Sequence, residues 1–298
     1  METSETLRFL GWAIFTCGGL TLVAQGLSAR LGNPAIGILS RWARCLFFAF
    51  GISFIAIQAE WSWAYGPLWN LTAIFFLFWF LIESIYLWIT IRNYSLANLP
   101  VCPHYVTYPN KDEWPMQPHF IRIREWLREN KYRQIETLKA NLGEGHHVRA
   151  FHFEDENKHT RIQVAFVVIG HTATEATFTI SSLTATGKRL ITDNAFVPRG
   201  GYLPDNWERR RHPLLRSLPA LEKRHKKSMG ESNHTFASWN ETVLDDIDEQ
   251  QDAFEKTNVE KGVLFPRNHR EENGTYTQEG RYKMWAEIIC LNFLGHGK

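Results

Sequence analysis

The stretch from Pro67 to Ile91 constrains this chain more than any other. It carries one ionisable side chain, Glu83, in an otherwise apolar and aromatic run. About 20 such residues wound as a helix cross the hydrocarbon core of a bilayer, and in lipid the backbone must bond to itself. The pattern predicts a transmembrane helix over 67–91. Two further spans precede it, over about 9–27 and 43–63. Phe9 to Leu27 has no charge, and the leader before it lacks the basic residues of a cleaved signal. Cys45 to Ile57 is shorter. It reaches spanning length with Trp61, Trp63 and Tyr65 at the interface, the depth that tryptophan and tyrosine favour. Residues 1–95 therefore read as a membrane region of three spans.

Basic residues orient it. Arg30, Arg41 and Arg44 lie between the first two spans and Arg92 follows the third, against Arg8 alone on the other side. Cytoplasmic loops carry the basic excess. The expectation is an integral protein of the bacterial inner (cytoplasmic) membrane, with its amino terminus outside and its carboxy-terminal part cytoplasmic. A carboxylate inside a span is costly unless it finds a partner. Arg44, reaching inward from the start of the second span, is the expected partner of Glu83, with Arg41 as substitute.

Past the spans the composition changes. Pro100, Pro103, Pro109, Pro115 and Pro118 mark a stiff, extended linker over 96–118. Residues 119–204 alternate as a helix followed by strands. Phe120, Ile123 and Leu127 share one helical face, and Ala176, Phe178 and Ile180 share one strand face. Strands are expected over 147–154, 161–169, 174–183 and 188–197, with 133–142 leaning the same way. Short turns between them imply hairpins. The fold class is α+β: an amino-terminal bundle of three transmembrane helices, then a domain with an antiparallel meander of four to five strands flanked by helices. Residues 205–298 read as a helical part. Its first half is basic. Its second half, 241–261, is acidic and opens on an apparent capping box, Ser238 to Glu241. Met284 to Leu294 is apolar but too short to span, and so belongs in a core or on a membrane surface.

Function is less legible. The net charge of +2 argues against a nucleic-acid partner. The four cysteines form no CxxC pair. There is no Walker loop, GxGxxG, HExxH or GxSxG, so neither a catalytic motif nor a cofactor is expected. His146, His152 and Glu154 share strand parity, and His171 follows on the next hairpin. Together they suggest a metal-dependent hydrolase, which needs at least three converging ligands; the plainer reading makes them polar side chains on a wet sheet face. Arg209, Arg210, Arg211, Lys223, Arg224, Lys226 and Lys227 could hold the acidic segment or meet anionic lipid headgroups. The leading expectation is a membrane-anchored cytoplasmic module that binds or regulates, with the lipid bilayer and a membrane or cytoplasmic protein as partners. The alternatives are the hydrolase and a subunit of a larger membrane complex.

Overall fold

The structure, a computed structural model, describes residues 3–61, 66–97, 100–108, 114–143, 146–169, 172–232 and 234–297. Trp63, Tyr65, Pro109 and His171 lie outside the described residues. The chain divides into two units, residues 1–92 with 285–295, and residues 93–284 with 296–298.

The first unit holds three helices long and apolar enough to cross a membrane: α1 (Thr3–Leu31), α2 (Pro34–Gln58) and α3 (Leu68–Leu96). The helix ends differ from the expected span ends: α1 contains 9–27, α2 starts at Pro34 and ends at Gln58, and α3 runs on to Leu96. Asn33 caps α2 by accepting from the Ala35 amide at 3.0 Å, and Pro34 sits in the first turn, where its missing N–H costs nothing. Arg41 and Arg44 therefore lie on helix and not in a loop. Gly18 of α1 seats the Phe47 ring, which would stand 3.0 Å from an added Cβ; small residues let apolar helices approach this closely. Ala49 and Ala56 of α2 cluster with Leu71 and Phe75 of α3, and Phe48 stacks on Trp79. The apolar run near the carboxy terminus belongs to this unit. Trp42 donates to the Phe293 carbonyl at 2.8 Å, Phe80 packs on the Phe293 ring, and Trp285 donates to Ser84 Oγ at 3.1 Å.

The second unit is a sheet covered by helices on both faces. In chain order its elements are β1 (Tyr105–Thr107), α4 (Pro118–Glu129), β2 (Arg133–Gly143), β3 (His146–Glu154), β4 (Arg161–Ile169), β5 (Thr172–Thr184), β6 (Arg189–Asp193), β7 (Trp207–Arg211), α5 (Leu218–Glu231), β8 (Phe236–Ala237), α6 (Val243–Glu260), α7 (Arg270–Asn273) and α8 (Gln278–Ile289). The strands follow sequence order from β1 to β7, with β8 on β5. β2 to β6 form the expected antiparallel meander, and the near-continuous apolar run becomes β4 at its centre. One face carries Phe151, Phe153, Ile162, Val164, Phe166, Phe178 and Ile180 under α4 and α5. Burying each such side chain contributes roughly 1.5–3 kcal/mol. The other face packs Leu138 and Ala150 against Val243, Leu244 and Ile247 of α6.

Three expectations need correction. The linker contains β1, which pairs with β2. The part after 205 is not all helical, because Trp207–Arg211 pairs in parallel with β6. Three successive arginines conceal a strand, and they are tolerated there because β7 is an edge whose guanidiniums find carboxylates. The helix starts also move. Thr242 caps α6 by accepting from the Asp245 amide at 3.2 Å, in place of Ser238 and Glu241, and Ser217 caps α5.

Candidate functional site

β7 projects Trp207, Arg209 and Arg211 to one face and Glu208 and Arg210 to the other, since side chains alternate along a strand. Arg210 turns toward α5 and donates to Ser228 Oγ at 2.8 Å and Glu231 at 3.1 Å. On the α6 side, Trp207, Arg209 and Arg211 form one wall of an open pocket of about 310 Å³. Gln250, Gln251 and Phe254 form the α6 wall, Arg199 and Leu203 come from the β6–β7 crossover, and Cys102 closes a third side. No Asp, Glu or His is among the described lining residues.

The walls are held in place. Asn258 of α6 accepts from the Tyr202 amide at 2.7 Å and donates to the Tyr202 carbonyl at 2.9 Å, pinning the crossover to the helix. Gly201 permits this approach, because an added Cβ would fall 2.6 Å from both Asn258 Oδ1 and Phe254 Cζ. Gln251 donates to the Pro103 carbonyl at 2.9 Å and ties in the segment bearing Cys102. Behind the pocket, fully buried Asp193 bonds Arg209 Nε and lies 3.7 Å from Arg211 Nε. Burial raises its pKa, but Arg209, Arg211 and the Ala195 amide outweigh that and hold it below the usual carboxylate range. The Cys102 thiol is pushed up to about 11 by burial and then by Glu255, so it stays protonated and unreactive at neutral pH. Among the described lining residues there is no nucleophile–base pair.

Beneath the same helix lies a closed ion-pair quartet. Glu154 and Arg161 face each other across the β3–β4 register, and Arg161 donates to Glu154 at 3.1 and 2.7 Å. Arg161 and Arg189 both reach Asp246, at 3.0 and 2.5 Å, and Trp239 lies against both guanidiniums at 4.4 and 5.0 Å from its ring centre. Gln250 donates to Asp246 at 3.1 Å and joins the quartet to the pocket wall.

The histidine set is not assembled as a metal site by what is described. His152 is 2 % exposed and lies under α6, not on a wet face. Burial, and secondarily Arg161, pushes its pKa down to about 3, so it remains neutral. Glu154 is committed to Arg161. The His146 side chain and His171 lie outside the described residues, and among those described no group of three ligands could hold a metal. The seven basic residues do not share one surface. Arg209 and Arg211 face the pocket, Arg210 faces Glu231, and Lys223, Arg224, Lys226 and Lys227 lie exposed on α5, where Lys226 pairs with Glu222 and Lys227 with Glu231. The acidic helix takes its buried partners from Arg161 and Arg189 and not from this stretch. In the first unit, Arg44 donates to Glu83, and Cys45 Sγ lies 3.9 Å from the same carboxylate.

Sequence reasoning missed Arg199, Trp207, Gln250 and Phe254. The Pro198-Arg-Gly-Gly201 run was the available signal; it reads as the end of a sheet and is instead a crossover whose glycine fits against a helix. Compared with family models, curated proteins and solved structures, the chain matches none.

Proposed function

We propose that this chain is a membrane-anchored binding module of the bacterial inner membrane whose second unit, on the cytoplasmic side, takes a small anionic ligand carrying a flat apolar part. One observation carries the reading: Arg199, Arg209 and Arg211 line a single pocket with no acidic residue among its described walls. Guanidinium forks suit carboxylate and phosphate oxygens. Trp207 and Phe254 offer ring and edge surface for the apolar part. The volume lies at the small end of ligand sites, which run from about 300 to 1,000 Å³. The orientation rests on Arg30, Arg41, Arg44 and Arg92 standing against Arg8.

The test is titration of the purified full chain with phenyl phosphate, phenol and inorganic phosphate, read by tryptophan fluorescence. Phenyl phosphate should bind tightest. Arg199→Gln should weaken it about tenfold or more, the value of one charge-assisted hydrogen bond. Equal response to phenol, or unchanged affinity in Arg199→Gln, sinks the reading.

A further inference from the structure

The first unit has its own cavity, of about 580 Å³, walled by α1, α2, α3 and the terminal segment. Gln25, Arg41, Arg44, Glu83 and Asn292 all line it. Its charges do not balance. Arg44 is engaged by Glu83, yet Arg44 Nε is buried without a hydrogen-bond partner. Arg41 makes no hydrogen bond or ion pair among the described residues, although it is half-buried in the same cavity. Two guanidiniums against one carboxylate give the cavity's described lining a single net positive charge between apolar helices. Such a charge is costly there unless something neutralises it.

Depth and surroundings identify what does. α2 has 25 residues, roughly 37 Å at 1.5 Å per residue, against about 30 Å of hydrocarbon core. Arg41 lies seven residues after Pro34, roughly 10 Å along the helix, and its long stem can return the guanidinium to the headgroup boundary. Ile85, Tyr86 and Ile89 beside the cavity are all more than half exposed and present apolar surface of the kind that acyl chains cover. An anion carried on acyl chains can lie along that surface with its charge at the cavity.

We propose that this cavity holds the phosphate of an anionic membrane lipid, with Arg41 as the principal ligand, Arg44 Nε as a second donor, and Gln25 and Asn292 at its polar edge. A phosphodiester carries one negative charge and closes the charge balance.

Native mass spectrometry of the full chain in mild detergent tests this with phosphatidylglycerol, diacylglycerol and inorganic phosphate as probes. Phosphatidylglycerol should remain bound, diacylglycerol should not, and millimolar inorganic phosphate should not displace the lipid. Arg41→Gln should weaken retention about tenfold or more, Arg41→Lys less, and exposed Arg30→Gln not at all. Leu87→Trp, which narrows the cavity and leaves its charges in place, should lower retention even if Arg41→Gln does not fold. Equal retention of diacylglycerol, or full retention in both Arg41→Gln and Leu87→Trp, overturns the site. Displacement by inorganic phosphate overturns the lipid as its source.

Discussion

Replacing Asp246 by leucine should be among the most damaging single changes in the second unit. Asp246 is 1 % exposed and accepts from Arg161, Arg189 and Gln250. With Glu154 it forms a quartet of two cations and two anions, neutral as a whole. Each contact is worth about 4–6 kcal/mol at an effective dielectric constant near 20, and desolvation of each ion takes back several kcal/mol. The intact quartet is thus near break-even. Removing one member is not: Arg161 keeps Glu154, but Arg189 is left with only its ring contacts to Trp207 and Trp239. Asp246→Leu should cost about 3–5 kcal/mol, the usual figure for breaking a buried pair from one side. Arg189→Leu leaves Asp246 with Arg161 and should cost less, about 1–3 kcal/mol. The double variant restores neutrality and should fall well short of the sum of the two losses. Hydrogen exchange of β4 and β6 amides in the full chain, in detergent, reads all three. Additive losses, or a loss under about 1 kcal/mol for Asp246→Leu, would refute the claim that these four groups form one unit.

Three further outcomes are expected. His225 is fully buried between Ser182 Oγ at 3.0 Å and Thr192 Oγ1 at 2.9 Å, and burial, then Lys226, pushes its pKa down to about 4. The unfolded chain takes up this proton near pH 6.5 and the folded one does not. Its contribution is therefore complete above pH 6.5 and lost as pH falls toward 4, roughly 3 kcal/mol in all; unfolding midpoints of His225→Gln should lose part of the wild-type slope between pH 6.5 and 5, and identical slopes would exclude the effect. Gly201→Ala should lower the melting temperature by displacing Asn258, costing about 1–3 kcal/mol, whereas Gly230→Ala, helical and with open space at its Cβ, should raise it slightly; equal effects would discount the close approach. A carboxy-terminal alkaline-phosphatase fusion should be inactive and a fluorescent-protein fusion bright, and the reverse pair would invert the orientation.

What the sequence shows and conceals follows from the range of each interaction. The α4 face of Phe120 and Leu127 and the β5 face of Phe178 and Ile180 are local periodicities, and they are readable because burial repeats with the element's own pitch. The parity of His152 and Glu154 was equally legible, but its meaning was not. Whether that face is wet depends on α6, whose acids look like a solvated helix until Arg161 and Arg189 are seen beneath them. Those arginines open β4 and β6, where a charge normally signals a turn. Asp246 lies 85 residues from one and 57 from the other, so no local pattern joins them. The pocket draws on the linker, crossover, β7 and α6, and each piece alone reads as ordinary loop, edge or helix.

Three of the charged clusters can be sorted by one criterion. A cluster needed only for folding tends to close on itself, because any uncompensated buried charge lowers stability. The quartet of Glu154, Arg161, Arg189 and Asp246 meets this standard: neutral, buried and sealed by Trp239. The pocket differs: three guanidiniums line an open volume, and Asp193 stands behind two of them. The cavity of the first unit does not meet it, with Arg41 and Arg44 against Glu83 in its described lining. The pocket and this cavity border open volume, and the quartet is buried. That association is what a division between structural and ligand-binding charge would produce. Its sharpest consequence is that neutralising Arg41 should raise stability in the absence of ligand, while neutralising Arg189 should lower it.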